Sequence, residues 1–214
     1  MRRSERIRTD RYVDVDYHQF TQPPWLSVLT RLLGVLSWPV VVPLALLSRL
    51  SDFIFVSCSQ VLSLVPYVIG VIVRYEFYRM TLTRCGRNVT IGFGTVLRYR
   101  DISIGDHVLI GMYNTLHYCD FGSYVLVADG CRFLSGSKYH KFDRTDIPMA
   151  LQGGSLHRIV LGDDCWIGAN AVVMESVGAG SIVGAGSVVS RSVERGTIVA
   201  GVPAQKIGKR GVER

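Results

Sequence analysis

Lysine is scarce in this chain: of 24 basic residues among 214, all but Lys138, Lys141, Lys206 and Lys209 are arginine. Charge as a whole is sparse, 19% of residues against 48% apolar, which excludes a disordered or fibrous chain. Cysteine occurs only at Cys58, Cys85, Cys119, Cys131 and Cys165, odd in number and without a C-x-x-C pair. That pattern excludes a disulfide framework and a zinc knuckle and fits a reducing, cytoplasmic compartment. Base-stacking aromatics set among basic residues are also missing, so the net charge of +7 does not read as a nucleic-acid surface. The apolar run starts late and lacks an A-x-A site, which speaks against a cleaved signal peptide.

What the sequence does have is one long interval almost free of charge. From residue 32 to residue 73 only Arg49 and Asp52 are charged. The interval divides into residues 32–48, interrupted by Pro39 and Pro43, and residues 53–73, which contain Pro66. As helices these stretches would be about 25 and 31 Å long, against a hydrocarbon core of about 30 Å. The second is long enough to span; the first is short, with a kink or break expected at Ser37-Trp38-Pro39. Lys and Arg number six before the first stretch, one between the two and four just after. The positive-inside rule then puts both ends in the cytoplasm, as a membrane hairpin or re-entrant loop. A buried helical hairpin within a soluble domain is the other reading. The expected organisation is an Arg-rich leader (1–31), an apolar helical hairpin (32–80) and a repeat domain (81–210).

Residues 85–190 carry a six-residue period. Successive hexads begin at Cys85, Ile91, Leu97; Ile104, Ile110, Leu116; Phe121, Val127, Phe133; Leu161, Ile167, Val173; and Val177, Val183, Val189, and each of these residues is apolar. In the first two hexads of every coil the next residue is Gly or Ala, as short strands joined by tight turns require. Helices do not produce this period, so the chain reads as a triangular parallel β-helix of five coils. An insertion of about 23 residues, roughly 134–158, interrupts it.

The motifs I-G-D-H-V-L-I-G, L-G-D-D-C-W-I-G-A-N-A-V-V, V-G-A-G-S-I-V-G-A-G-S-V-V-S-R-S-V and I-V-A-G-V-P-A-Q-K-I resemble the hexapeptide-repeat acyltransferases. Among these the chain is most similar to maltose, galactoside and polysaccharide-biosynthesis O-acetyltransferases. The resemblance covers residues 85–210. It implies an all-β, left-handed parallel β-helix with a protruding catalytic loop, a homotrimer, and acetyl-CoA in grooves between subunits.

A long loop breaking a stiff solenoid is where function concentrates. This one carries His140, and acyl transfer to a hydroxyl needs a base that works near neutral pH. Similar acetyltransferases place their catalytic histidine in this loop, so the resemblance gives that role to His140, with a solvated loop histidine as the alternative. His-Lys-Phe-Asp replaces the usual His-Pro, leaving Asp143 or a backbone carbonyl to orient the imidazole. Asn114 falls where galactoside-type relatives use an Asn to position the acceptor. It also occupies the fifth slot of its hexad, where Thr95, Cys131, Ala171 and Ser187 sit on other coils, all small. Cys131 and Cys165 read as inert residues of that slot. Trp166, Ala169, Ala185, Ser190 and Arg191 fall on positions that line the pantetheine and phosphate groove in similar enzymes, although Trp166 could equally be packing. Lys206, Lys209 and Arg210 are candidates for a CoA phosphate or a solvated cationic tail. His18, His107, His117 and His157 read as surface residues. No histidine pair has metal-site spacing, so no metal is expected.

The resulting expectation is an acetyl-CoA-dependent O-acetyltransferase on the bacterial inner membrane, facing the cytoplasm and acting on a lipid-linked or nascent polysaccharide sugar. Amino-sugar N-acetylation, transfer of a longer acyl chain, and an inactive β-helix scaffold of a polysaccharide-assembly complex are the alternatives.

Overall fold

The computed structural model describes residues 24–136 and 139–211. The leader up to residue 23 lies outside the described residues. Every hexad but the one at Val177, which makes only single bridges, contributes a strand of two to four residues, and the strands stack into three sheets. The register follows the hexad alignment. Cys85, Ile104, Phe121 and Leu161 line one sheet, and bridges carry that row on to Val177 and Val193. Ile91, Ile110, Val127, Ile167 and Val183 line the second; Leu97, Leu116, Phe133, Val173 and Val189 line the third. All of these are buried except Cys85, which is half-buried. Only the inward residue of each short strand meets the core, so the period of two inside the period of six sorts apolar from polar.

The three corners of the triangle differ. At the first corner Asn88, His107, Tyr124, Asp164 and Gly180 all have a left-handed backbone. At the second, Gly94, Tyr113, Gly130, Asn170 and Gly186 do the same. These are tight turns. They account for His107, whose ring stacks on Tyr124 at 4.8 Å and meets Asn88 Nδ2 at 3.1 Å. The third corner, which follows Leu97, Leu116, Phe133, Val173 and Val189, has no such repeated residue, and the insertion grows from it. At the C-terminal end Gln205–Lys209 folds back antiparallel onto Thr197–Ala200.

Three helices, α1 (Pro24–Ser48), α2 (Asp52–Ser63) and α3 (Tyr67–Thr81), precede the solenoid. This differs from the expected two-helix hairpin in two ways. The second apolar stretch breaks before Pro66 into α2 and α3, and both pack on the first coil. The first stretch runs unbroken through Pro39 and Pro43. Both prolines are exposed, while Gly34, Val41, Ala45 and Ser48 form a buried stripe along the helix. The prolines therefore cost hydrogen bonds only on the open side, and packing holds the rest of the helix.

Arg74 ties the cap together. Its guanidinium is buried; Nε donates to Ile91 O at 2.8 Å, and Nη1 donates to Leu62 O and Val65 O at 3.1 and 2.8 Å. One cation thus satisfies the orphan carbonyls at the end of α2 and the open edge of the first coil. Gly70 makes the room: a Cβ there would lie 1.8 Å from Val65 O and 2.8 Å from Arg74 Nη1. Beside it, Ser59 Oγ accepts from Leu97 N at 3.1 Å and pairs with the Tyr78 hydroxyl at 2.7 Å. On the outer layer, Glu76 accepts from Trp38 Nε1 at 3.0 Å and Arg79 Nη2 at 2.6 Å, joining α1 to α3.

Arg74→Met should strand these buried carbonyls and destabilise the protein by about 3 kcal/mol. The measurement is the urea midpoint, and an unchanged midpoint would mean the cap does not depend on this cation. Arg74→Lys should recover only part of the loss, because an ammonium cannot reach the diverging carbonyls at once.

Candidate active site

The third corner brings together residues far apart in sequence. Coil one places Tyr99 there and coil two His117 and Tyr118; coil three opens into the loop carrying Tyr139 and His140. Successive coils are separated by about 4.8 Å, so these side chains can meet. The ring centroids of Tyr99 and His117 lie 6.3 Å apart, those of His117 and Tyr139 6.2 Å, and those of Tyr139 and His140 4.7 Å. Tyr139 therefore stands between two histidines.

The loop is anchored at its base. Arg158 donates to Asp101 Oδ2 at 2.5 Å and Asp120 Oδ2 at 2.8 Å, and its guanidinium lies 3.9 Å over the Tyr118 ring. Asp101 also accepts from the Tyr118 hydroxyl at 3.0 Å and Thr83 Oγ1 at 3.1 Å. Within the loop, Gln152 Nε2 donates to Arg144 O and Ile147 O, and Lys141 N donates to Gly153 O at 2.9 Å. The backbone of Gly154 approaches Tyr139 O so closely that a Cβ there would sit 1.7 Å from it. These contacts define the turn that presents His140.

The His140 side chain is exposed. Asp143 is exposed as well and makes no hydrogen bond to the His140 imidazole among the described residues; the ring contact that His140 does make is edge-on with Tyr139. Asn114 is fully buried, with Oδ1 accepting from Cys131 N at 2.6 Å and its own N–H donating to Thr95 Oγ1 at 3.0 Å. Its side chain belongs to the interior stack of small residues at the second corner, away from the histidines. This is the structural alternative given above for its slot, and Asn114 Nδ2 remains unpaired among the described residues. Cys131 and Cys165 lie buried in or beside the same kind of stack; burial pushes both thiols up, as it pushes Cys85 up to about 12. None of them is poised as a nucleophile.

The sequence alone reads His117 as an outward-facing surface residue, and the structure differs. It is half-buried, and its Nδ1 is enclosed without a hydrogen-bond partner among the described residues. Burial holds the imidazole below its ordinary range, and nearby Arg98 lowers it further. A neutral imidazole results at pH 7. The usable signal was the coil alignment, which places Tyr99 and His117 just after the third ladder residue, on the corner that sprouts the loop. His157, at the end of the loop, faces Glu175 at 3.8 Å.

The proposed CoA residues form two groups. Ala169 and Ala185 occupy adjacent coils at the second corner, where Gly186 N donates to Ala169 O at 2.8 Å and a Cβ on Gly186 would meet nothing within 4 Å. Trp166 is exposed on the neighbouring sheet face. Ser190 and Arg191 are exposed on the third corner. The strand pairs ending at Val173 and Val189 run between the two corners, with Val172 and Val188 half-buried on the outward side. Lys209 is exposed on the final strand, whereas Lys206 lies 3.9 Å from Glu194 and Arg210 bonds Asp164 Oδ2 at 2.5 Å. Among the described residues no group of three His, Cys, Asp or Glu is placed to hold a metal ion.

The described residues thus form a three-sheeted parallel solenoid with a histidine loop on its irregular corner. Residues 158–191 match the bacterial transferase hexapeptide (six repeats) profile. A probable macrolide acetyltransferase from Lysinibacillus sphaericus is 31% identical over 123 residues, 50% of this chain and 62% of that protein, so the chain spans less than two thirds of its relative's length. A hexapeptide-repeat acetyltransferase from Vibrio cholerae O1 biovar eltor, solved with acetyl coenzyme A, is 29% identical. It aligns with TM-score 0.56 over 64% of this chain and 75% of its own. A maltose O-acetyltransferase from Clostridium difficile 630 shares the fold at TM-score 0.66 and 18% identity, over 75% of this chain and 89% of its own. The hexapeptide profile thus matches the coils that follow the loop, and the solved neighbours share the solenoid fold.

The state of His117 can be measured. Its ring should titrate below 6.5, the ordinary value, in an NMR pH series. The sign for stability follows. Below about pH 6.5 an unfolded histidine takes up a proton that the buried one resists, so the contribution is intact above that pH and lost as pH falls through the folded value. His117→Gln should flatten this dependence of the urea midpoint between pH 7 and 5. A ring that titrates above 6.5 would contradict the burial argument.

Proposed function

We propose that this protein transfers an acetyl group from acetyl-CoA to a hydroxyl of a lipid-linked or nascent polysaccharide sugar, and that it works as a membrane-attached homotrimer of left-handed β-helices. The observation that carries the reading is His140, exposed on the loop that interrupts the described solenoid with its ring edge-on to Tyr139 at 4.7 Å. His140 would take the acceptor's hydroxyl proton as the oxygen attacks the thioester carbonyl. Backbone N–H groups would hold the oxyanion until the carbon–sulfur bond breaks, and the imidazolium would return the proton to the departing CoA thiolate. Asp143 would have to reach the imidazole by a loop movement or from a neighbouring subunit. The role of Asn114 would be limited to shaping its corner, unless its unpaired Nδ2 turns outward.

Membrane attachment is supported by the outer surface of the cap. Leu32, Leu36 and Val40 recur at helical spacing along α1, Leu50 and Phe53 flank the α1–α2 turn, and all five are more than half exposed. By length and composition Val28–Ser48 could cross a bilayer. Its buried stripe, however, fastens it lengthwise to α2 and α3, which favours lying in the membrane surface over spanning. Arg31 and Arg49 at its ends suit anionic lipid. In a cyclic trimer three caps would face the same way and share the attachment. The curated relative's name offers a second acceptor class, a macrolide hydroxyl, and the exposed cap argues for the lipid-linked one.

His140→Ala should lower kcat by about 10²–10⁴ with acetyl-CoA affinity nearly unchanged. Turnover at the wild-type rate would move the base elsewhere, with His117 the next residue to test. Vesicle flotation checks attachment: the protein should float with anionic liposomes and be extracted by carbonate if it lies in the surface. Failure to float, together with light scattering showing larger assemblies, would assign the apolar layer to protein contacts instead.

A further inference from the structure

His140 and His117 share the third corner, but their rings stand in different surroundings. His140 is exposed on the loop, whereas His117 is half-buried and belongs to the ladder. His117 N donates to Phe133 O at 3.0 Å, and the next N–H, that of Tyr118, donates to Ser135 Oγ at 3.1 Å. The backbone that carries this ring is therefore fixed. Tyr99 lies on one side of it and Tyr139 on the other, inclined to it by 63° and 77°. Burial and the nearby Tyr139 hydroxyl raise the Tyr99 phenol above its ordinary range, so the two tyrosines also meet each other. Three aromatic groups thus close a triangle, and Tyr139 continues edge-on to His140.

The two nitrogens of His117 are unequal. Nδ1 is enclosed without a partner, whereas Nε2 is not enclosed and makes no hydrogen bond among the described residues. A buried N–H without an acceptor is rarer in proteins than a buried lone pair without a donor. The neutral ring therefore keeps its lone pair inside, on Nδ1, and its proton on the open side, on Nε2. Burial, and then the charge of Arg98, disfavour a second proton. Such a ring is a fixed donor. It cannot act as a base, because its lone pair is shut away.

The corner thus offers two abilities on either side of one tyrosine. An exposed imidazole can take a proton, and a held N–H can bind an oxygen. The Tyr139 centroid is 6.2 Å from His117 and 4.7 Å from His140, an interval that one six-membered ring with its substituents can bridge. An acceptor with several oxygens on one ring reaches both histidines, and an isolated hydroxyl reaches only one.

We propose that His117 recognises the acceptor: its Nε2–H donates to a second oxygen of the ring whose hydroxyl His140 deprotonates, with that ring lying beside Tyr139. The substrate class so selected is a cyclic polyol, a saccharide, over an isolated hydroxyl. The part given to His140 rests on the acetyl-transfer reading, while the donor site of His117 stands on its own surroundings. Enclosing Nδ1 has a purpose in this arrangement. It pins the tautomer, so the donor faces the acceptor at every encounter.

The test uses the full-length protein in a detergent without a sugar headgroup. The probes are methyl glucoside, methyl galactoside and methyl N-acetylglucosaminide, with cyclohexanol as the isolated hydroxyl. Saturation-transfer NMR measures binding without turnover, and at least one glycoside should bind about tenfold more tightly than cyclohexanol. His117→Leu should weaken that glycoside by about tenfold, and His117→Gln, whose amide N–H reaches towards the place of Nε2–H, should keep it within about threefold. Glycosides that bind no better than cyclohexanol would overturn the proposal. So would a leucine variant that binds as well as wild type, or no worse than the glutamine variant. Acetyl transfer is measured apart, as CoA release with the bound glycoside. Binding through His117 without transfer removes the acetyl-transfer reading and leaves the recognition site. Transfer with an acceptor KM untouched by His117→Leu removes the recognition site and leaves the reading.

Discussion

A parallel solenoid cannot close on itself, so its first coil must leave a row of strand groups without partners. In this chain Arg74, Ser59 and Gly94 meet that need. Arg74 bonds Ile91 O, Ser59 accepts from Leu97 N, and Gly94 N donates to Ser63 O at 2.8 Å. The helical segment is therefore a lid on the β-structure, and its position is fixed by polar contacts as much as by burial. Everything that follows depends on that lid. It sets the face α1 presents outward, and it gives the solenoid a defined bottom from which the histidine loop is measured.

The same geometry explains why chemistry gathers on one corner. Two corners are made by left-handed residues that permit only tight, repeated turns. A residue there is committed to the turn, as His107 is. The third corner has no such commitment, so its length can vary from coil to coil, and large side chains or a long loop can be accommodated without disturbing the ladder. Arg158 then secures the loop's return by bridging back to Asp101 and Asp120, so that an excursion of more than twenty residues leaves the strand register intact.

The ladder was legible because a six-residue period with Gly or Ala beside apolar residues has few physical interpretations, and all fifteen starting positions align in the sheets as the spacing requires. The loop was legible for the complementary reason, as the one interruption. The cap was not. A stretch of apolar residues states that something must be covered, not whether lipid or protein covers it, and Arg74 resembles any membrane-flanking cation until its carbonyl partners are visible. Pro39 and Pro43 misled in a related way: they weaken a helix only if neighbouring packing is too weak to hold it. His117 and Tyr99 escaped notice because their meeting with Tyr139 depends on contacts across coils. Asp143 next to His140 in sequence looked like an orienting partner, but adjacency along a loop does not aim two side chains at each other.

Stacking gives the molecule a scale. Each coil lifts the third corner by about 4.8 Å, so the step from Tyr99 on coil one to the loop on coil three is about 10 Å. The height of His140 above the capped end is thus counted in whole coils, and no change of side chain can alter it by a fraction. A solenoid built this way works as a ruler: the number of coils between lid and loop sets the height at which the histidines stand.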